Sequence, residues 1–416
     1  MPGATPIPRG PTVLTLYSAA DLLTGPGCPV CRYAGEAGDR YLAWFALEAH
    51  ADAVTITRLC SSLGMCPRHT RWLMSQPGAA SRLTAVYRYV MEAARDRLSG
   101  RAVRLGSCPG CEHDDGAAGR ALDTLLDGLA DGSVRERYRE LGGLCIPHLG
   151  AASARGGHRA PAWMWHTTTE AVTARQAAPG WLAGTDHDAD VRAVLRQAAQ
   201  ASARPGAGVC LACLAVTRLE NTCLAQILHS GGRGPHDREL LLCTGHLNDL
   251  IVLAGPRDEV PLLAWQAGCL AVGLSGRPLP PGRKLGDLAS WLRSRRRRAA
   301  RPGDCPICLA GATAARQAVD AVRTSLRASP AGPDGQTPLC VRHLLSLRAL
   351  DPWAGHVTAG AAVERAELLI AELNEAFSKN TWARRHEVRG PEMTAWRRAA
   401  AFLDGGVFCG CPARDT

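Results

Sequence analysis

The chain has 416 residues and a formal charge of +10, from 48 Lys and Arg against 38 Asp and Glu. That length admits two to four domains. Aromatic residues make up 5% of a chain rich in Ala, Leu, Arg and Gly, which disfavours sheets of Val, Ile and Tyr and favours packed helices.

Met1 to Thr15 scatters Pro and Gly through its length and carries no apolar core with a cleavage site, so no secretory signal is expected. The longest apolar stretch, Val260 to Leu274, holds Gln266 and two glycines and is too short to span a bilayer. A cytoplasmic, membrane-free protein is the expectation, and there paired cysteines serve as metal ligands or redox groups.

The first such pair is Cys28 and Cys31, introduced by Gly25-Pro26-Gly27. Tyr33, Tyr41, Leu42, Phe45 and Leu47 then recur near helical spacing, and Cys66 and His69 follow. The same sentence is written three more times. Cys108 and Cys111 precede a stripe of Leu122, Leu125, Leu126 and Leu129, then Cys145 and His148. Cys210 and Cys213 precede Leu219, Cys223, Leu224 and Ile227, then Cys243 and His246. Cys305 and Cys308 precede a narrow stripe of Ala315, Val319 and Val322, then Cys340 and His343.

The second and third cysteines of each copy lie 30 to 35 residues apart, and the copies start 80, 102 and 95 residues apart. This is an uneven array rather than a tight solenoid. The copies use 12 of the 17 cysteines and 4 of the 13 histidines. The expected architecture is all-α: four zinc-stapled helical modules over residues 1–100, 101–205, 206–300 and 301–416. The second module includes a connector, the third an Arg-rich linker and the fourth a C-terminal tail.

Within each copy the metal is expected to tie the entry of one helix to the entry of a later one. Pro29, Pro109 and Pro306 suit a first helical turn, where a missing N–H costs nothing. Met65, Leu144, Leu242 and Leu339 stand directly before the third cysteine, and Gly64 and Gly143 mark a turn into it. Further helices are expected to close the modules, one through Leu83, Val86, Tyr87, Val90 and Met91, another over Ala361 to Phe377 with Leu368, Leu369 and Leu373. Linkers are expected near Ser99–Gly106, Ala203–Gly208 and Arg293–Gly303, with Ala177–Arg204 as a long connection.

Three thiolates and one imidazole complete a tetrahedral shell, the donor set of a structural Zn²⁺. Four such ions are expected, one per module. An iron–sulfur cluster and dithiol redox chemistry are the alternatives. Filled sites would bring the net charge from +10 to about +6. Cys60, Cys223 and Cys269 are expected as small core residues, and Cys409 and Cys411 as a terminal pair.

Functionally, these residues suggest an interaction or regulatory scaffold with a protein partner. One alternative is a nucleic-acid binder using Arg295 to Arg298 and the stretches around Trp382 and Trp396. Another is an enzyme or thiol- or alkyl-transfer factor in which one zinc–thiolate site is open; the third copy differs from the rest, with Leu211 in place of proline. His113, His166, His187 and His236 lie outside the repeat, and no nucleotide-binding, hydrolase or H-E-x-x-H motif occurs.

Cys108-Pro-Gly-Cys111, a Leu-rich helix and Gly142-Gly-Leu-Cys145-Ile-Pro-His148 together resemble a family of bacterial helical proteins with a Cys-Pro-x-Cys…Gly-x-Cys-x-x-His pattern. The tail from Lys379-Asn-Thr-Trp to Trp396-Arg-Arg-Ala is similar to that family's ending, while the third module, with Leu241-Leu-Cys243, is further from it. The resemblance implies metal sites on a helical fold and supplies no reaction.

Overall fold

The computed structural model describes residues 12–48, 51–101, 105–155, 162–174, 210–229, 242–254, 262–263, 266, 305–328 and 339–404. Cys269, Cys409, Cys411, His187, His236, the arginine run 293–301, the connection 177–204 and the linker 203–208 lie outside them. The described residues are helical and contain no strand.

The helices repeat one construction. Those that follow a C-x-x-C begin one residue after its first cysteine: α2 (Pro29–Leu47), α6 (Pro109–Gly128), α10 (Leu211–His229) and α12 (Pro306–Ala328). Those carrying a C-x-x-H begin one residue after the cysteine: α4 (Pro67–Ser75), α8 (Ile146–Arg155), α11 (Thr244–Ala254) and α13 (Val341–Leu350). The cysteine is therefore the residue that starts the helix. The carbonyls of Cys28, Cys66, Cys108, Cys145, Cys210, Cys243 and Cys340 each accept a bond from the N–H four residues on, at 2.8–3.1 Å. Prolines occupy the first turn of α2, α6 and α12 as expected.

The other helices are α1 (Val13–Leu22), α3 (Ala53–Ser62), α5 (Ala79–Leu98), α7 (Gly132–Leu141), α9 (Ala162–Ala174), α14 (Pro352–Lys379) and α15 (Ala395–Asp404). A short 3-10 turn at Pro391–Thr394 precedes α15. Two compact units divide the described residues. One takes its residues from Met1–Ala37, Asp114–Ala189 and Leu224–Pro306, the other from Gly38–His113, Asp190–Cys223 and Ile307–Thr416. Neither coincides with a run of consecutive sequence.

In the first unit Leu122, Leu125, Leu126 and Leu129 are all buried, as their spacing predicts. Tyr138 of α7 is fully buried and meets Trp163 of α9 edge to face at 5.4 Å. The second unit is organised on α5 and α14, which pack along each other, with α3, α13 and α15 around them. Leu83, Val86, Tyr87, Val90 and Met91 enter this core beside Leu369 and Leu373, whereas Leu368 faces outward. Trp396 is buried and Trp382 exposed, so one C-terminal tryptophan packs and the other does not.

Arginines close the helix ends of this core. Arg97 and Arg342 donate to the carbonyls of Ser61 and Ser62 at the end of α3, at 3.0 and 2.7 Å. Arg348 donates to the Arg97 and Leu98 carbonyls at the end of α5. Cationic donors at helix C-termini satisfy carbonyls that have no intrahelical partner. The Arg342 guanidinium also holds the buried Asp404 carboxylate at 2.6 Å.

Candidate metal centres

All sixteen predicted ligands converge, in four groups of three cysteines and one histidine. Their ligand atoms lie within 4.8 Å of one another in every group. The grouping corrects the sequence-based expectation, which closed each module on itself. Cys28 and Cys31 meet Cys145 and His148, not Cys66 and His69. Cys66 and His69 meet Cys108 and Cys111. The second half repeats this: Cys210 and Cys213 meet Cys340 and His343, and Cys243 and His246 meet Cys305 and Cys308. Adjacent modules exchange halves, so in each pair of modules an inner set is nested inside an outer one.

Between the two motifs of the first module lie α2, of 19 residues, and α3, of 10; between those of the second lie α6, of 20 residues, and α7, of 10.

The turn into each site is built as the sequence suggests. Met65, Leu144, Leu242 and Leu339 are buried at 3%, 0%, 3% and 3% exposure, anchoring the backbone just before the cysteine. Gly64 and Gly143 have φ of +91° and +97°, the left-handed region that glycine enters without penalty. A Cβ on Gly143 would also collide with Thr168 Oγ1.

With the cysteine as N-cap, the histidine is the third residue of its helix. Side chains there lean toward the N-terminus, which brings the nearer ring nitrogen back over the cysteine. Nδ1 is accordingly the atom presented in all four sets. His148 Nδ1 lies 3.6, 3.2 and 3.1 Å from the sulfurs of Cys28, Cys31 and Cys145. His69 Nδ1 lies 3.3, 3.4 and 3.7 Å from those of Cys66, Cys108 and Cys111. His343 Nδ1 lies 3.3, 3.5 and 3.1 Å from those of Cys210, Cys213 and Cys340. His246 Nδ1 is 3.3 Å from Cys243 and 3.4 Å from Cys305.

Sulfur–sulfur separations are 3.6 Å for Cys31–Cys145, 3.6 Å for Cys66–Cys111 and 4.0 Å for Cys213–Cys340. A tetrahedral ion bound by thiolate and imidazole has edges of about 3.8 Å between sulfurs and about 3.6 Å from sulfur to nitrogen. The donor sets fit one ion each. No disulfide joins the described cysteines.

The charges say the same. Burial pushes the Cys28 thiol up, but hydrogen bonding with Cys145 and Cys31 and the charge of His148 outweigh it and hold it well below its ordinary value. Cys145 in the same set is pushed well above, by burial and by the sulfurs of Cys28 and Cys31. Hydrogen bonding with Cys111 and Cys66 places Cys108 far below the thiol range, and the sulfurs of Cys108 and Cys66 drive Cys111 far above it. Cys210 is held low by hydrogen bonding with Cys213 and Cys340, while burial and the Cys210 sulfur raise Cys340. Burial alone would lower His148, yet the sulfurs around it lift it to about 10. Each of these three sets thus carries one negative sulfur readily; carrying three requires a cation among them.

One contributor lacks any signal of its own in the spacing. Gly110, in Cys108-Pro-Gly-Cys111, lies against the His69 ring, and a Cβ there would fall 2.7 Å from its Cγ and Nδ1. Cys60 and Cys223 are partly exposed and belong to no set. Tyr41 stacks on His113 at 4.6 Å, which gives that histidine an aromatic neighbour.

The chain matches no protein-family model, no curated protein and no solved structure. The assignment of four candidate metal centres on an all-α fold rests on this geometry.

Proposed function

We propose that the chain is a four-zinc helical scaffold whose metal sites are structural and whose role is to present helices to a protein partner. The closed donor sets carry this reading. Three thiolates and one Nδ1, all within 4.8 Å, give zinc its full complement and leave no position for a substrate. A polynuclear iron–sulfur cluster interposes several irons and sulfides between its cysteines and would hold them further apart, so the spacing supports a single ion. Zinc here supplies charge neutralisation and geometry. The residues do the rest: each cysteine starts a helix, each histidine leans back from the next turn, and two distant helix entries are held together.

Support for the partner comes from α1. Ala19 and Leu22 on it are buried, while Val13, Leu14 and Tyr17 are exposed at 72%, 77% and 75%. Placement in the cytoplasm agrees with reduced cysteines in metal-binding sets. Among the described residues one helix, Leu211–His229, is long and apolar enough to cross a membrane by length and composition. Its first turn carries Cys213, and Thr217, Glu220 and Asn221 are buried along it, which supports a core helix.

Metal analysis of the purified chain tests the reading. About four zinc ions per chain, with loss of helical circular dichroism on chelation, is the expected result. Iron with visible absorbance, or a chelated protein that melts unchanged, overturns it.

A further inference from the structure

The four sets differ in which atoms face solvent. In the two outer sets all three cysteines are buried and the histidine, His148 or His343, is partly exposed. In the two inner sets the histidine, His69 or His246, is buried, and cysteines are partly exposed: Cys66 and Cys111, with Cys108 at 9%, in one, and Cys243 with Cys308 in the other. The partly exposed ligand cysteines all belong to the inner sets.

The set of Cys66 is built differently at one position. The residue before the second cysteine is Val30, Ala212 or Ile307 in the other copies, each no more than 2% exposed. Here it is Gly110, itself buried against the His69 ring. The Cys108 sulfur accepts from the Cys66 N–H at 3.2 Å, and Cys108 is 9% exposed. Cys66 and Cys111 are partly exposed, with their sulfurs 3.6 Å apart.

We propose that Cys66 and Cys111 form a peroxide-sensitive dithiol that closes to a disulfide and releases the ion of this set. The inference rests on the zinc reading above. One thiolate attacks an oxygen of hydrogen peroxide; the O–O bond breaks, hydroxide leaves and the sulfur becomes a sulfenic acid. The second thiolate displaces hydroxide from that sulfur and the S–S bond forms. Two sulfurs give up two electrons, and peroxide is reduced to two hydroxides. The sulfurs must approach by about 1.6 Å to reach disulfide length. Cys108 and His69 then remain as two donors where zinc takes four. The cysteines of the outer sets are buried, so the same dose should leave those sets closed.

The test uses the full zinc-loaded chain, stepwise hydrogen peroxide, a chromogenic zinc chelator and mass-spectrometric mapping of alkylated cysteines. The expected result is a Cys66–Cys111 disulfide appearing with about one released ion, at least ten-fold faster than oxidation at Cys28, Cys31, Cys145, Cys210, Cys213 or Cys340. Equal rates in the outer sets, or loss of an ion with Cys66 and Cys111 still reduced, overturns the proposal. Cys66→Ser should bind one ion fewer and release none at that dose; a variant that still releases one sinks the assignment. Zinc content measured before peroxide is added reports separately on the structural reading.

Discussion

The outer and inner sets have the same donors and nearly the same distances, yet they tie together different lengths of chain. The outer sets join Cys31 to Cys145 and Cys213 to Cys340, 114 and 127 residues apart. The inner sets join Cys66 to Cys108 and His246 to Cys305, 42 and 59 apart. An inner set is a local staple between one module's end and the next one's start. An outer set holds the two ends of a module pair and removes more freedom from the unfolded chain. Between 114 and 42 residues the loop-closure difference is about 0.9 kcal/mol. Burial follows the same division, with the cysteines buried in the outer sets and two or more partly exposed in each inner one. Identical ligands therefore serve as a lock in one place and a clasp in the other.

Metal stoichiometry offers the largest effect and tests the nesting itself. Cys28→Ser combined with His148→Ala strikes one set and should leave three ions. Cys28→Ser combined with Cys66→Ser strikes two sets and should leave two. Modules closed on themselves would give the reverse, and metal analysis of the two purified variants decides between them. Single variants sharpen the comparison further. Cys145→Ser and Cys66→Ser should each lose one ion and on the order of 4 kcal/mol. The outer variant should be worse by about 1 kcal/mol, from loop closure. Denaturant melts that rank them the other way would break the distinction between lock and clasp.

Much of this was legible in the sequence because the chemistry is local. A cysteine that begins a helix, a proline in its first turn and an apolar anchor before the third cysteine are all facts of neighbouring residues, and all sixteen ligands follow from them. Which pair meets which is not local. Cys66 and His69 have the same donors whether they face Cys31 or Cys108, and spacing favours the nearer choice by only seven residues, 35 against 42. The pairing depends on contacts between residues far apart in the chain, which the stripe from Tyr33 to Leu47 does not carry. Likewise Leu368 reads as core by composition but faces outward on α14, because the stripe facing α5 passes through Leu369 and Leu373. Trp382 and Trp396 sit in similar basic stretches and end in opposite environments.

The entry turns provide a finer probe of the same comparison. Gly64 leads into an inner set and Gly143 into an outer one, both at positive φ. Gly64→Ala meets only Tyr87 and Val90 at ordinary contact distance, 3.8 and 3.9 Å, so the backbone penalty of about 1 kcal/mol should be the whole effect. Gly143→Ala adds a collision with Thr168 and should cost about 3 kcal/mol. Equal losses in the two melting curves would mean that the outer turn is no more tightly enclosed than the inner.

The smallest effect separates metal-held structure from structure held without metal. Lys379 at the end of α14 donates to Glu392 at 3.0 Å and to the Val388 carbonyl at 2.8 Å, and the Gly390 N–H donates to Glu392 at 2.7 Å. The Gly390 N–H and then the Lys379 ammonium lower the Glu392 carboxyl from 4.5 to about 2. A carboxyl lowered on folding stabilises the fold above its unfolded value, and that contribution is lost as pH falls from about 4.5 through about 2. The metal sets respond to acid earlier, because their cysteines and histidines must be deprotonated to bind. Acid titration should therefore release the ions first and open this latch afterwards. Glu392→Gln should melt a few degrees below the native chain at neutral pH, while its ion release on acidification stays unchanged. Equal melting at neutral pH would show that α15 is held by Trp396 and Phe402 in the core rather than by the latch beside them.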